Sequence, residues 1–227
     1  MLPQRAALFA KERLQHRRAT ADRADRSAAI VFSKMNRSTP ALAPTLPDTH
    51  GAQAPSSWIT RFAHLARPQG QVLDIACGLG RHMRLFHAQN HQVTGIDQAQ
   101  AAIDAVANLG HAVQADIENK PWPLPGQQFD TVVVTNYLWR PLWPQILDSV
   151  KPGGLLLYET FAQGNEAFGK PSRPDFLLAP GELLKVCKGW TIVAYEHGQL
   201  RQPERVVQRI AAIKPGADSA YPVLLQA

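Results

Sequence analysis

The segment VLDIACGLGRH, residues 72–82, places small residues at every second position directly after an apolar run. The apolar run predicts a buried strand, and the residues from Arg81 onward have the spacing of an amphipathic helix. Between the two stand Ala76, Gly78 and Gly80. Glycines in a strand-to-helix turn let a ligand approach the backbone, because no Cβ atom stands in the way. The segment therefore predicts either a tight structural turn or a site for a nucleotide-like ligand.

Two nucleotide-binding turns do not fit this segment. The dinucleotide-binding pattern G-x-G-x-x-G requires a third glycine at position 83, where this chain has Met83. A phosphate-binding Walker A loop requires a Gly-Lys-Ser/Thr ending, which is absent. The remaining alternative to a purely structural turn is one that binds S-adenosylmethionine (SAM). In that case Asp74 would face the methionine ammonium, and Gly78 and Gly80 would admit the cofactor.

Strand and helix patterns alternate along the chain from about residue 56. Apolar runs predict seven strands, and helical patterns separate most of them, which is typical of a doubly wound, mostly parallel sheet. The last two strands, WTIVAYEHGQL and ERVVQRIAAIK, are joined by a short link, so the last strand should run antiparallel. A helix interrupted by Pro144 is expected after the fourth strand. The predicted fold class is therefore α/β, with a seven-stranded, doubly wound, Rossmann-like sheet.

Four further motifs follow the glycine turn in order. VTGID puts Asp97 at the end of the second strand, and VQADIEN puts Asp116 after the third. FDTVVVTNYL forms the fourth strand, and VKPGGLLLYETF leads into the fifth. Together with VLDIACGLG, this set resembles the class I SAM-dependent methyltransferase family over residues 70–161, with Ala76 in place of the first family glycine. Because parallel strands end at one edge of a sheet, Asp74, Asp97 and Asp116 should lie together there.

The resemblance implies SAM as the cofactor and implies roles for individual residues. Asp97 would hold both ribose hydroxyls, Asp116 would accept from the adenine amino group, and Ile117 would flank the base. The alternative for each aspartate is a cap on the following turn or helix. The predicted cofactor-binding residues are Asp74, Ala76, Cys77, Gly78, Gly80, Asp97, Gln98, Asp116, Ile117 and Asn136. His82, beside the turn, is a further candidate for contact with the cofactor.

The acceptor side of the predicted site has fewer specific features. Tyr137 and Arg140, after the fourth strand, are the candidate catalytic residues by motif position. The long loop at residues 162–178, which carries Phe168 and Phe176, predicts a lid or substrate loop, or else an irregular surface connection. The stretch FLLAPGELLKVCKGWTIVAYEHG resembles the tellurite-resistance (TehB-like) branch. That resemblance implies a small-molecule methyl acceptor, for example a chalcogen oxyanion or a thiol. No metal site is predicted.

Other functions stay open from the sequence. The Asn/Asp-Pro-Pro-Tyr/Phe motif of many DNA, RNA and glutamine N-methyltransferases is absent, and Asn136 and Tyr137 stand there without the prolines. This absence argues against a nucleic-acid substrate for the folded domain. The alternatives are a protein or RNA methyltransferase, a SAM-binding scaffold without activity and, behind these, an NAD(P)-dependent oxidoreductase.

The net charge of +6 on this chain of 227 residues is unevenly distributed. Residues 1–37 contain nine Lys and Arg against three acids, so the remaining chain holds 15 of each sign. We therefore expect residues 1–50 to be a disordered basic tail and linker, and residues 51–227 to be a methyltransferase domain. A mitochondrial-type presequence and a start at Met35 are alternatives for the tail.

The apolar runs and the cysteines bear on location. No apolar run approaches the roughly 20 residues that a membrane span needs, so no membrane association is predicted. Cys77 and Cys187 are too few for a disulfide framework, which favours a cytoplasmic location. The oligomeric state is left open.

Overall fold

A computed structural model describes residues 54–216, and the predicted tail and linker at residues 1–50 lie outside them. Strands and helices alternate along the described part. The strands are β1 (Gln71–Ile75), β2 (Gln92–Asp97), β3 (His111–Gln114), β4 (Phe129–Thr135), β5 (Val150–Phe161), β6 (Thr191–Arg201) and β7 (Glu204–Ile213). The α-helices are α1 (Ser57–Phe62), α2 (Arg81–Ala88), α3 (Gln100–Val106), α4 (Trp143–Asp148) and α5 (Glu182–Val186). Short 3₁₀ turns lie at Ala63–Leu65, Arg140–Leu142, Asn165–Ala167 and Pro174–Phe176.

The seven strands form one sheet in the order β3-β2-β1-β4-β5-β7-β6. Strands β1 to β5 pair in parallel, whereas β7 pairs antiparallel with both β5 and β6. The final strand therefore inserts between β5 and β6, because a hairpin joins it to β6 and turns it back into the sheet. The predicted fold class, a seven-stranded, doubly wound, Rossmann-like sheet with an antiparallel last strand, is confirmed.

Alternate residues of the central strands pack on opposite faces of the sheet. In β4, Val132 and Val134 belong to one hydrophobic cluster and Val133 belongs to the other. Helices α1, α2 and α3 contribute to the Val133 cluster, and α4 and α5 contribute to the opposite one. A strand covered on both faces needs consecutive apolar residues, which explains the apolar run in β4. Helices therefore cover both faces of the sheet, and the carboxyl ends of the strands are left for a site.

The first residues of two helices, α1 and α4, explain where these helices begin. Helix α1 starts after Ser56, whose Oγ accepts a hydrogen bond from the Trp58 N–H at 3.1 Å. Helix α4 begins at Trp143, so Pro144 lies in its first turn. The expected interruption by this proline is wrong, because the first turn of a helix has no acceptor for the donor that proline lacks. Within residues 54–216, none of the helices has the length and apolar character required to cross a membrane.

The loop at residues 162–178 is an ordered part of the domain. Its two ends form a parallel bridge beside the end of β5. Inside it, Asn165 is 2% exposed, donates to the Pro171 carbonyl at 2.9 Å and accepts from the Val206 N–H at 3.1 Å. These contacts fix the loop against the last hairpin and hold it at the same edge of the sheet as the glycine turn.

Candidate active site

Two cavities open along the edge where the central parallel strands end, and Ala76 lies on the wall of both. The large cavity, about 640 Å³, lies between the glycine turn, the ends of β4 and β5, and the loop at residues 162–178. The small cavity, about 160 Å³, lies between the end of β2 and residues 115–118. The two cavities therefore adjoin at Ala76, and together they are called the cleft below.

Most of the predicted cofactor-binding residues line this cleft. Ala76, Cys77, Gly78 and Asn136 line the large cavity. Ala76, Asp97, Gln98, Asp116 and Ile117 line the small cavity. Asp74 and Gly80, by contrast, are absent from the walls of both cavities. Eight of the ten predicted residues therefore lie along this cleft, and their role in cofactor binding stays a prediction.

Asp97 ties the glycine turn to the end of β2. Its Oδ2 accepts from the Gly78 N–H at 2.9 Å, and its Oδ1 accepts from the Ala99 N–H at 2.9 Å. Each carboxylate oxygen can accept more than one hydrogen bond. Asp97 can therefore keep both backbone contacts and still accept from a ligand in the small cavity.

Asp116 caps the turn that follows β3. Its Oδ1 accepts from the backbone N–H groups of Glu118 and Asn119 at 3.2 and 3.1 Å. Hydrogen bonds from the Asn119 side chain and backbone hold the pKa of the exposed Asp116 carboxyl below its usual range. This carboxyl is therefore ionised at neutral pH and can accept a hydrogen bond at the rim of the small cavity.

Gly78 and Gly80 are glycines for different reasons. Both have positive φ, +54° and +79°, which favours glycine. A Cβ at Gly78 would meet no protein atom within 4 Å, and Gly78 lines the large cavity. A Cβ at Gly80 would lie 2.3 Å from Cγ1 of Val106 on α3. The expectation that both glycines make room for a ligand therefore needs correction, because close packing against α3 accounts for Gly80.

Asp74 is buried behind the turn. It is 1% exposed, and its carboxyl oxygens have no hydrogen-bond partner among the described residues. Burial raises the pKa of Asp74 to about 7 and Asp97 adds to the shift, whereas Arg81 and the nearby backbone N–H of Met83, which lies outside strict hydrogen-bond geometry, oppose it. A carboxyl group in this position does not face a ligand in the large cavity. The predicted contact of Asp74 with a cofactor ammonium is therefore not seen in the structure.

His82 is buried against Asp74 and faces the protein interior. Its Nε2 accepts from the Ser56 N–H at 3.2 Å, and its Nδ1 lies 3.9 Å from Asp74 Oδ2. Burial and, to a lesser extent, the charge of Arg81 lower the pKa of His82 to about 3, so the ring is neutral at pH 7. His82 therefore joins the start of α1 to the glycine turn, and its suggested approach to the cofactor is not seen.

The buried carboxyl of Asp74 predicts a pH-dependent difference between wild type and the Asp74→Asn variant. The pKa of this group is about 7 in the folded protein against 3.8 as its ordinary value, so the folded state holds a proton that the unfolded chain has released, and wild type loses stability as the pH rises between these values. Asparagine cannot ionise. The variant should gain stability relative to wild type by up to about 1.4 kcal/mol per pH unit between those values. Urea unfolding at several pH values measures this gain, and a difference that does not change with pH would contradict the buried position.

Comparison with known proteins agrees with this geometry. The model of a methyltransferase domain family matches residues 72–154, which span the glycine turn, β2, β3, β4 and the start of β5. Residues 72–154 thus form a methyltransferase domain, and their motifs are those of class I SAM-dependent methyltransferases. The cofactor is therefore SAM, as the motifs imply.

One curated protein is similar to part of this chain. Malonyl-[acyl-carrier protein] O-methyltransferase from Serratia marcescens is 29% identical over 109 residues, which are 44% of this chain and 42% of that protein. The matched region thus spans less than half the length of this curated relative.

Solved structures share the fold at low identity. TehB from Haemophilus influenzae has a TM-score of 0.56 and 20% identity over 69% of this chain and 61% of that one. The [4+2]-cyclase SpnF has a TM-score of 0.54 and 16% identity over 75% of this chain and 86% of that one. At this identity the likeness shows the fold alone, and a cyclase shares it, so the reaction must be argued from the site.

In this methyltransferase domain, Arg140 fastens the loop and does not line either cavity. Its guanidinium donates to both carboxylate oxygens of Glu182, at 2.6 and 2.9 Å, and to the carbonyls of Asp175 and Leu177, at 2.7 and 2.9 Å. These bonds use four of the five N–H donors of the side chain. The prediction of Arg140 as a catalytic candidate is therefore corrected, because its donors hold the protein's own loop.

Replacing Arg140 by Gln should loosen the loop at residues 162–178. The Arg140 side chain is 37% exposed, so solvent screening reduces its contribution, and we expect the free energy of unfolding to fall by about 1–2 kcal/mol. Hydrogen exchange in the loop should accelerate. The matched control is Arg67→Gln, which removes a 78% exposed guanidinium 3.8 Å from Asp130 and should change stability far less. Equal effects of the two variants would contradict the role of Arg140 in holding the loop.

Tyr137 lies on the wall of the small cavity, together with Asp116 and Ile117, and not on the wall of the large one. Burial raises the pKa of its phenol above the usual range, and the nearby carboxylate of Glu118 adds to this shift. The phenol is therefore protonated at neutral pH and suited to donate a hydrogen bond. Tyr137 therefore lies among the residues predicted to bind the cofactor, and its role as a catalytic candidate stays a prediction.

Several wall residues of the large cavity were missed by motif analysis. Arg81, Thr135 and Phe161 line it, whereas the loop residues Lys170 and Phe176 were part of the predicted substrate loop. Only their position in the chain could have identified them, because Thr135 and Phe161 are the last residues of β4 and β5, at the edge where ligands of such folds bind. Among the residues that the structure describes, no cluster of His, Cys, Asp or Glu is arranged to hold a metal ion.

Proposed function

We propose that the chain transfers a methyl group from SAM to a small-molecule acceptor. The observation that carries this proposal is the pair of cavities that meet at Ala76. The small cavity offers room for part of a nucleoside, and the adjoining large one offers room for the rest of the cofactor and an acceptor. Both lie at the edge of the sheet where ligands of open α/β folds bind.

The walls of the small cavity fit the nucleoside part of SAM. Ile117, 8% exposed, provides an apolar surface for a base. The carboxylates of Asp97 and Asp116 lie on the same wall and accept hydrogen bonds. Ribose hydroxyls and an adenine amino group are donors of the matching kind. We propose that Asp97 binds the ribose, that Asp116 binds the adenine amino group, and that Gln98 and Ile117 flank them.

The glycine turn fits the remainder of the cofactor. The backbone at Ala76, Cys77 and Gly78 forms one wall of the large cavity, and the open space over Gly78 admits a ligand close to the main chain. Asn136, which also has positive φ, +54°, lies on the same wall. When bound, SAM supplies a methyl group already activated by its sulfonium. The protein has to hold the acceptor in line with that methyl group and keep water out.

The loop at residues 162–178 supplies the outer wall for the acceptor. Phe176 lines the large cavity, whereas Phe168 is 39% exposed and does not line it. This arrangement favours an acceptor with an apolar part. The size of the cavity, about 640 Å³, fits a small molecule together with part of the cofactor.

Replacing Phe176 by Ala should raise the KM for the acceptor about tenfold, because one aromatic contact of roughly 1–2 kcal/mol is lost. The affinity for S-adenosylhomocysteine (SAH), the product that remains after transfer, should be nearly unchanged. Phe168→Ala is the matched control and should leave both quantities as in wild type. Steady-state kinetics and calorimetry measure them. A loss of SAH affinity equal to the change in KM would place Phe176 in the hydrophobic core instead.

The proposal is tested by following the methyl label. The full chain is incubated with methyl-labelled SAM and, separately, with the small-molecule and the macromolecular fractions of a lysate from the source organism. We expect label in the small-molecule fraction. Label in protein or RNA alone would contradict a small-molecule acceptor and support a macromolecular methyltransferase. Absence of transfer to either fraction would support a SAM-binding scaffold.

A further inference from the structure

The wall of the large cavity carries positive charge. Arg81, Lys170 and Arg173 line it, and no Asp, Glu or His is among the described residues on that wall. The rings of Phe161 and Phe176 supply its apolar part. A cavity of this composition favours a ligand that joins an anionic group to an apolar body.

Arg81 is a partly buried cation on this wall, and its side chain has no ion-pair partner in the part of the chain that the structure describes. Among the described residues its side chain has no ion pair within 4 Å and no hydrogen bond, and burial lowers its pKa. The nearby carboxylate of Glu159 is fully buried, but Arg205 and Arg209 contact its two oxygens at 3.4 and 3.2 Å. Arg205 also lowers the pKa of Arg81 by repulsion. The guanidinium of Arg81 is thus left to serve a ligand in the cavity.

Among the described residues of this wall, none is suited to removing a proton from the acceptor. Cys77 lines it, but burial raises the pKa of its thiol well above the usual range. The carboxyl groups of Asp74 and Glu159 are buried and do not line the cavity. A general base is needed only where the acceptor must lose a proton during transfer. An acceptor for this cavity should therefore arrive already deprotonated.

We infer that the acceptor is an oxyanion already ionised at neutral pH, such as a carboxylate, on an apolar body, and that Arg81 binds it. This inference rests on the proposed function. A lone pair of the oxyanion forms the new bond to the methyl carbon, and the carbon–sulfur bond breaks with its electron pair left on sulfur. The positive charge of the sulfonium and the negative charge of the acceptor cancel, so no proton is released.

The charge of the acceptor is tested by fractionating the small-molecule extract before transfer. The extract is passed over an anion exchanger at pH 7, and the retained and unretained fractions are incubated with the full chain and labelled SAM. We expect methyl incorporation from the retained fraction. Incorporation from the unretained fraction alone would overturn the inference and leave the proposed function intact. Incorporation from neither fraction would overturn the proposed function and the inference with it.

Proton release gives a second readout on the purified acceptor. In weakly buffered solution at pH 7, we expect methyl transfer without release of protons. A proton released for every methyl group transferred would mean that the acceptor arrives protonated, and would overturn the inference.

The role of Arg81 is tested with Arg81→Gln. We expect the KM for the acceptor to rise about 10- to 100-fold, as a charge-assisted contact is lost, while SAH affinity is unchanged. Arg81→Lys keeps the charge and should recover part of the loss. The matched control is Lys188→Gln, which removes an exposed charge outside the cavity. A fall in SAH affinity, with no fall for 5′-methylthioadenosine, which lacks the amino-acid part, would assign Arg81 to the cofactor carboxylate and overturn its role toward the acceptor.

Discussion

Replacing Asp97 by Asn should weaken the binding of SAH about 10- to 100-fold while the domain stays folded. Asp97 accepts from the backbone N–H groups of Gly78 and Ala99, both at 2.9 Å, and its carboxylate also lines the small cavity. An amide in its place keeps a single oxygen acceptor and loses the negative charge. It therefore cannot serve both backbone donors and both ribose hydroxyls at full strength.

Calorimetric titration with SAH measures this loss, and circular dichroism checks the fold. The matched control is Asp104→Asn on the exposed surface of α3, where the carboxylate accepts from the Gln100 side chain at 2.8 Å. It removes the same charge and should bind SAH as wild type does. Wild-type affinity in a folded Asp97→Asn protein would contradict the ribose role.

Adding a methyl group should mainly reduce SAH affinity at Gly78 and mainly reduce stability at Gly80. Gly78→Ala places a Cβ in the open space of the cavity, so we expect SAH affinity to fall at least about tenfold. Its stability should fall by only about 1–2 kcal/mol, from the positive φ alone. Gly80→Ala adds a collision at 2.3 Å with the fully buried Val106, and should lose about 2–4 kcal/mol of stability.

Urea unfolding measures the stability of the two variants, and calorimetry measures their affinity for SAH. The account requires Gly78→Ala to show the larger loss of affinity and Gly80→Ala the larger loss of stability. The reverse order would mean that the cofactor lies against Gly80 and that the space over Gly78 is not part of the site.

The local sequence pattern was sufficient to predict the fold. The consecutive valines of β4 predict a strand covered on both faces, and the clusters on the two sides of Val133 confirm it. The short link between β6 and β7 fixes the direction of the last strand, since so few residues allow only a hairpin. The sequence also predicts that Asp97 and Asp116 lie at the same edge of the sheet, because they follow successive parallel strands.

Contacts between distant segments could not be predicted. Arg140 and Glu182 are 42 residues apart, and no periodicity or spacing links them. The burial of Asp74 depends on the position of α1, because Ser56, which caps α1, lies 26 residues before His82 and donates its backbone N–H to the His82 ring. Gly80 looked like a ligand glycine because motif position does not show where Val106 will pack. In each case a tertiary contact decided the role of the side chain.

The central claim is that the cleft on both sides of Ala76 binds SAM. Its most direct test is a calorimetric titration of the full chain with SAH and, in parallel, with NAD⁺. The account predicts saturable binding of one SAH per chain and no heat of binding from NAD⁺. Saturable binding of NAD⁺ with no binding of SAH at millimolar concentration would contradict it.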